Sequence, residues 1–295
     1  MSDTRTWTGT TDGSFTTATN WSDDTAPITG DTAIVPKNAT VDIDADLTNS
    51  TVDLAAFYVE DDCTIDIGTA TQPLEIGLAA SGVMDLAGTG TISLEVAGDL
   101  STNTITVRAC GTLYLAGNGG EELCDNLYIT ATSGDIYITW GNAQLAEIDN
   151  IYAIGGANLY IGDSVTKTGG GAITSITAAA GTIKCRSAVA LVTSRGASYY
   201  QEAGAVALMH VYDGTTYYNG SGTLTTGHVY SDGEIDFTGN TYGVTVTTLN
   251  VYGSATVNDA YNAVAVGTII NFNGTSADTA TVNFGTGRKI TTAAI

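Results

Sequence analysis

A short aromatic phrase recurs at a fixed distance along the chain. Thr112 begins TLYLAGNGG, Asp135 begins DIYITWGNA and Asn158 begins NLYIGDSVT, at a constant step of 23 in the numbering. A second pair, DNLYITATSG from Asp125 and DNIYAIGG from Asp149, recurs at almost the same step. A repeat of this length predicts a solenoid, in which each repeat forms one turn and packs only on its neighbours.

The segments within each repeat alternate as β-strands do. Apolar and polar residues follow a period of two, and runs rich in Val, Ile, Thr and Tyr end at Gly, Asn or Asp. We therefore predict an all-β chain folded as a single-stranded, right-handed parallel β-helix of roughly eleven turns, with about 19 to 25 residues in each. An antiparallel sandwich also has alternating strands, but it does not require one phrase at a constant offset.

Residues 1–38 differ from the rest of the chain. They contain three large aromatic residues, Trp7, Phe15 and Trp21. No proline occurs after residue 73, as expected for central strands, in which every backbone N–H group donates a hydrogen bond. An open end of a solenoid is a strand edge that other chains could pair with. We interpret residues 1–38 as an N-terminal cap and residues 39–295 as the parallel β-helix.

The cap segment contains a recognisable pattern. Its form is N-W-x5-P-x2-G-D-x4-P, made here by Asn20, Trp21, Pro27, Gly30, Asp31 and Pro36. The pattern resembles the leading cap of β-helical bacteriophage structural and surface proteins. The resemblance is confined to the N-terminal segment; it implies a β-helical virion part and brings no catalytic residues with it.

Charge is concentrated in the first half of the chain. The formal net charge is −22, and residues 1–150 carry 23 acidic and three basic side chains, a net charge of −20. Nucleic acids and anionic membranes are bound chiefly through Lys and Arg, so we exclude both as principal partners. The N-terminus lacks the features of a secretory signal, and no apolar run is long enough to span a bilayer. We expect synthesis in the host cytoplasm and a final location in the virion.

The sequence predicts no cofactor and no metal site. The four cysteines form no C-x-x-C pair and are not close in sequence to either histidine, so we expect buried thiols rather than zinc ligands or disulfides. Four aspartates have a spacing that superficially matches a calcium loop: Asp42, Asp44, Asp46 and Asp53. That loop needs Gly where this chain has Leu47, and we interpret the segment from Ala39 to Leu47 as a strand with solvated carboxylates.

The tyrosines of the repeated phrases fall between aliphatic residues. The aliphatic residues share one strand face, which places Tyr114, Tyr137 and Tyr160 on the other face. Tyr128 and Tyr152 predict a second column of the same kind. Three interpretations stay open: the columns stabilise the sheet by stacking, form a subunit interface, or offer a platform for sugar rings.

Candidate catalytic groups are few and scattered. Glycoside hydrolysis needs two carboxylates across the scissile bond, and lyases usually need a basic residue. The acidic candidates are Asp61, Asp62, Glu121, Glu122 and Asp125, and the basic candidates are His210, His228, Arg186 and Arg195. Adjacent carboxylates on a strand point to opposite faces, and the basic residues are far apart in sequence. We therefore expect no enzymatic activity.

These observations favour a non-enzymatic structural protein of a virus particle. The specific hypothesis is a phage capsid decoration or cement protein, a homotrimer bound to the major capsid protein. The five tyrosines of the two columns are then the subunit interface, and the residues expected to contact the shell are Arg5, Trp7, Arg288 and Lys289. The alternative is a tailspike or receptor-binding β-helix that binds or cleaves host surface glycans.

Overall fold

The protein is an all-β chain with parallel strands. The computed structural model describes residues 2–48, 52–69, 71–97, 103–117, 122–139, 145–240, 243–260, 269–273, 281–284 and 293–294. Strands account for 56% of the chain and helices for 3%. The described strands pair in parallel within each of the two compact units, Met1–Gly170 and Gly171–Ile295, and an isolated antiparallel bridge joins Trp7 to Trp21. The prediction of a parallel β-solenoid is confirmed.

The first unit contains short strands separated by turns. They are β1 (Thr4–Thr6), β2 (Thr32–Val35), β3 (Asp53–Val59), β4 (Leu74–Leu86), β5 (Thr91–Ala97), β6 (Thr104–Val107), β7 (Thr112–Gly117), β8 (Glu122–Ile129), β9 (Asp135–Ile138), β10 (Ala146–Ala153), β11 (Asn158–Ile161) and β12 (Val165–Thr166). Two single 3-10 turns, Ala18–Asn20 and Ser22–Asp24, lie between β1 and β2.

Strands of successive turns lie on one another in register. One column joins β2, β3, β4, β6, β8 and β10, and a second joins β5, β7, β9 and β11. In the second column Leu113 pairs with Ile136, which pairs with Leu159, and all three side chains are buried. Burial of such aliphatic stacks is the main favourable contribution to the stability of a solenoid.

Three aromatic side chains pack together near the N-terminus. Trp21 contacts Trp7 edge to face, with ring centroids 5.3 Å apart, and contacts Phe15 in the same way at 5.1 Å. All three are buried, and the indole N–H of Trp21 donates a hydrogen bond to the carbonyl of Phe15 at 2.7 Å. The segment 1–38 also joins the sheet, because β1 pairs with β2 and β2 with β3.

The solenoid has about nine turns, fewer than the roughly eleven expected from the repeat length. The strand predicted from Ala39 to Leu47 does not form, and only isolated bridges occur there, at Ile43 and Ala45. Ile43 is buried, but Ala45 is exposed and Asp46 has a φ of 48°. Asp tolerates this left-handed conformation, which interrupts the alternation that a strand needs.

The second unit contains longer strands. They are β13 (Ile173–Ala178), β14 (Thr182–Cys185), β15 (Val189–Arg195), β16 (Ser198–Gln201), β17 (Val206–Tyr218), β18 (Leu224–Asp236), β19 (Val246–Tyr252), β20 (Thr256–Asp259), β21 (Ile269–Asn273), β22 (Thr281–Phe284) and β23 (Ala293–Ala294).

The repeat is shorter at the start of the second unit than we expected. Thr193 pairs with His210, and His210 pairs with His228, so each of these turns is shorter than the step from Tyr114 to Tyr137 in the first unit. The two short repeats turn at Gly196 and Gly214, which adopt positive φ angles of 104° and 74°. The expected range of about 19 to 25 residues per turn is therefore wrong for these turns.

The cysteines are buried thiols, as predicted. Burial raises the pKa of Cys110 to about 11 and that of Cys63 in the same direction. Protonated, buried thiols are poor nucleophiles and poor metal ligands.

Candidate functional site

Tyr114, Tyr137 and Tyr160 form a continuous stack, which we name the Tyr114 column. They are in register on β7, β9 and β11. Their ring centroids are 5.1 Å and 4.7 Å apart, and the planes are within 16° of parallel. The side chains are half-buried on the outer face of the strands, opposite the buried aliphatic residues. The three tyrosines align in one column because β7, β9 and β11 pair in register.

Tyr128 and Tyr152 form the Tyr128 column on a different face of the first unit. They are in register on β8 and β10, with centroids 4.7 Å apart and planes 8° from parallel. The positions below them in this column are occupied by Thr106, Asp85 and Tyr58. The five predicted tyrosines therefore lie on two faces of the first unit, and each face carries its own stack.

The geometry of the Tyr114 column determines which parts of the rings are accessible. Tyr137 has a ring on either side, so both of its faces are covered and only its edge and hydroxyl group point away from the sheet. Burial and the nearby Asp135 carboxylate raise the pKa of Tyr137 and of Tyr160. The phenols of Tyr137 and Tyr160 therefore keep their protons at neutral pH, and the hydroxyl groups of the column follow the spacing of the turns.

The second unit carries further aromatic columns that the sequence analysis did not predict. In the Tyr200 column, Tyr200 and Tyr217 stack at 4.4 Å. In the Tyr212 column, Tyr212, Tyr230 and Tyr252 stack at 4.4 Å and 4.9 Å, within 10° of parallel. Tyr212 is 37% exposed.

The two histidines of the chain lie beside the Tyr212 column. His210 and His228 stack with centroids 4.9 Å apart and planes 12° from parallel. The expectation that they are too scattered to form a group is wrong. The missed signal was the pair of phrases HVYDG and HVYSDG, which begin at these two histidines and are one short repeat apart.

Basic side chains pack on the tyrosine columns of the second unit. The guanidinium carbon of Arg195 lies 4.8 Å from the centroid of the Tyr212 ring, and the ammonium of Lys184 lies 5.9 Å from that of Tyr200. Both distances are within the range of cation–π attraction. A cation therefore lies over the Tyr212 ring and another over the Tyr200 ring, at the first residue of each column.

Arg5 and Trp7, two of the residues predicted to contact a shell, lie inside the first unit. Arg5 is 8% exposed and forms ion pairs with Asp3 at 2.8 Å and with Asp31 at 3.4 Å. Trp7 is 1% exposed. Neither side chain is therefore exposed for contact with a capsid shell. The other two predicted contacts lie outside the described residues: Arg288 and Lys289.

The acidic residues near the N-terminus bind protein donors. Asp42 accepts a hydrogen bond from the backbone N–H of Asp66 at 2.9 Å, and Asp46 accepts one from the Ser14 hydroxyl at 2.6 Å. A polar groove of about 500 Å³ is lined by Asp44 and Asp46 together with Glu75 and Glu95. Within the described part of the chain, no three His, Cys, Asp or Glu side chains are arranged to hold a metal ion.

Among the acidic residues weighed as catalytic candidates, Asp61 forms an ion pair. Asp61 is bound by the guanidinium of Arg108 at 2.5 Å, and that group also binds Asp85 at 2.7 Å. Glu121 and the side chain of Glu122 lie outside the described residues. Among the ranges given above, no helix is long and apolar enough to cross a membrane.

Comparison with known proteins gives no relative from which a function could be transferred. The chain matches no protein-family model, no curated protein and no solved structure at a significant level. The functional interpretation therefore depends on the residues themselves.

Proposed function

We propose that the protein is a non-enzymatic structural protein that assembles with copies of itself through the Tyr114 and Tyr128 columns. In its specific form, the proposal is a phage capsid decoration or cement protein, a homotrimer located on the major capsid protein of the virion. The phage assignment rests on the sequence resemblance described above, and the trimer rests on the local three-fold positions of an icosahedral shell. The interface rests on the tyrosine columns.

The observation that supports an interface is the rigid row of outward phenols. Each stack orders its rings within one chain, so little side-chain entropy remains to be lost when a partner packs against the row. Tyr is enriched at protein–protein interfaces, where its ring packs and its hydroxyl forms a hydrogen bond. The half-buried phenols of Tyr114, Tyr137 and Tyr160 have both properties.

Glycan binding is less well supported by the same geometry. Sugar rings bind aromatic residues face to face, and both faces of Tyr137 are already covered by Tyr114 and Tyr160. A receptor-binding role would therefore depend on the edges and hydroxyls of the rings.

The decisive measurement is the molar mass of the full chain by size-exclusion chromatography with light scattering. We expect a trimer for the natural sequence and a monomer for the variant Y114S/Y137S/Y160S. Serine suits this column, because Ser93 occupies the position in register with Tyr114. A monomeric natural chain would refute the interface.

A matched control removes a stack that we do not assign to the interface. The variant Y200N/Y217N places Asn in the Tyr200 column, in which Asn258 already occupies a later turn. We expect this variant to remain a trimer. Loss of the trimer in both variants would mean that stacking supports the fold rather than a specific contact.

Two further assays separate the classes of function. A decoration protein is expected to co-sediment with empty capsids that lack it, whereas a tailspike is not. Incubation with host polysaccharide followed by viscometry tests the alternative. A fall in viscosity would establish an enzyme and overturn the structural proposal.

A further inference from the structure

Two tyrosines of the Tyr212 column are paired with imidazoles. The Nδ1 atom of His210 lies 3.1 Å from the phenol oxygen of Tyr230, and that of His228 lies 2.9 Å from the phenol oxygen of Tyr252. Each pair is diagonal, since the histidine lies on one turn and the tyrosine on the next. Both distances are those of a hydrogen bond.

Such a pair is suited to the one-electron oxidation of tyrosine. A phenol that loses an electron becomes a very strong acid, so oxidation is easiest where a base can take the proton at once. A group within hydrogen-bond distance is placed for that transfer. The neutral imidazole of His210 or His228 is such a base, and a phenol–imidazole hydrogen bond requires no rearrangement before the proton moves.

The protonation states at neutral pH agree with this role. Burial lowers the pKa of His210, as does the neighbouring His228, and burial also lowers the pKa of His228, so both rings are neutral. Burial and the hydrogen bond with Tyr212 raise the pKa of Tyr230 to about 12, so its phenol retains the proton. In the tautomer that carries its proton on Nε2, the phenol donates the hydrogen bond and Nδ1 of the imidazole accepts it.

We propose that His210, His228 and the Tyr212 column form an oxidative modification site, at which a diffusible one-electron oxidant generates tyrosyl radicals that couple into a dityrosine cross-link between neighbouring turns. The coupling partners are Tyr212 and Tyr230, whose ring centroids are 4.4 Å apart and whose planes are 3° from parallel. The modification is independent of the assembly role proposed above.

The oxidant, for example the ferryl haem of a peroxidase, removes one electron from each of two phenols, and each phenol loses its O–H proton. His210 takes the proton of Tyr230 and then releases it to solvent, and solvent takes the proton of the exposed Tyr212 directly. The two radicals form one carbon–carbon bond between ring positions ortho to oxygen. The hydrogen on each of those carbons then moves to oxygen, which restores two phenols, so the chain loses two protons and two electrons in total.

The Tyr212 column differs from the Tyr114 column because histidine side chains, which can act as bases, lie beside it. The Tyr114 column has similar stacking distances but no histidine, because both histidines of the chain lie beside the Tyr212 column. The acidic group near Tyr137 and Tyr160 is Asp135, and a carboxylate is a weaker base than imidazole. Tyr212 is also an accessible ring, at 37% exposure.

The test is oxidation of the full chain with a haem peroxidase and hydrogen peroxide, followed by digestion and mass spectrometry of cross-linked peptides. We expect a link between Tyr212 and Tyr230, with a mass lower by two hydrogens. We expect it to form at least about tenfold faster than any link within the Tyr114 column, because a positioned base accelerates proton transfer by about two orders of magnitude or more. Equal rates in the two columns would overturn the proposal.

Two variants test the contribution of the histidines. H210N/H228N uses the residue found at the next turn of that column, since His228 pairs with Asn250, and circular dichroism verifies the fold. We expect its Tyr212–Tyr230 link to form as slowly as links in the Tyr114 column; an unchanged rate would refute the role of the imidazoles. Y230F keeps the stacked ring but removes the phenol, and persistence of cross-links at position 230 would also refute the assignment. The comparison of columns within the natural chain stands even if a variant fails to fold.

Discussion

His210 and His228 stack face to face on adjacent turns, with their ring centroids 4.9 Å apart. Burial lowers the pKa of His210, and the neighbouring His228 lowers it further; burial lowers the pKa of His228 as well. The neighbouring side chains include the phenols of Tyr212, Tyr230 and Tyr252, the amide of Asn250 and the hydroxyl of Thr193, and none of these is a carboxylate that could balance a charged imidazole. The stack is therefore most stable when both rings are neutral.

The first prediction concerns the loss of stability in mild acid. A pKa that is lower in the folded chain means that the unfolded chain takes up protons first, so the stabilisation is present above the ordinary value of 6.5 and is lost as the pH falls through the folded pKa. Urea unfolding between about pH 7.5 and pH 5 measures the effect. The natural chain should lose stability over this range, and H210N/H228N should lose less. Parallel curves for the two proteins would contradict the prediction.

The second prediction concerns the buried carboxylate of Asp31. Burial alone would raise its pKa, but hydrogen bonds from the backbone N–H groups of Asp3 and Ile28 and the charge of Arg5 outweigh burial and hold the pKa below 3.8. The stabilisation is present above pH 3.8 and is lost as the pH falls through the folded pKa. D31N should be less stable at neutral pH and show a smaller further loss in acid. The exposed Asp24 provides the control D24N, for which we expect no change.

The third prediction compares two polar groups in the core of the second unit. The hydroxyl of Tyr199 donates a hydrogen bond to the side-chain oxygen of Gln201 at 2.5 Å, and both residues are buried. Y199F leaves that oxygen without its donor and should cost about 1–3 kcal/mol. The buried hydroxyl of Thr216 has no hydrogen-bond partner among the residues described here. T216V should therefore be neutral or stabilising, as measured by the urea midpoint.

The fourth prediction concerns the Tyr114 column. Tyr137 stacks on two rings and Tyr114 stacks on one. Each aromatic contact contributes about 0.5–1.5 kcal/mol beyond the area that it buries. Y137S should therefore reduce the free energy of unfolding by about twice as much as Y114S. Equal losses in chemical denaturation would indicate that the rings contribute through burial alone.

Local repetition was sufficient to predict the register of the first unit. The phrases around Tyr114, Tyr137 and Tyr160 fix which face each side chain takes, because an error of one residue would expose the aliphatic core. The same logic failed for the histidines. The turn that brings His210 onto His228 is shorter than the repeat on which the prediction was based. In a repeat of the longer length, the two histidines do not occupy equivalent positions.

Other features could not be predicted from local patterns. Whether Arg5 is exposed depends on Asp31, which is distant in sequence and lies beside it only after β1 and β2 pair. The segment from Ala39 to Leu47 alternates as a strand does, yet Asp46 turns the backbone there. Both outcomes are set by contacts between distant segments rather than by the pattern of a single one.

The aromatic cluster near the N-terminus gives the protein a convenient internal reporter. Trp7 and Trp21 are in van der Waals contact, and the third tryptophan of the sequence, Trp140, also precedes residue 171. Indole fluorescence excited at the red edge of the absorption band therefore follows the first unit alone, whereas the phenol signal includes the second unit. A difference between the two melting curves would show, without any label, that one unit unfolds before the other.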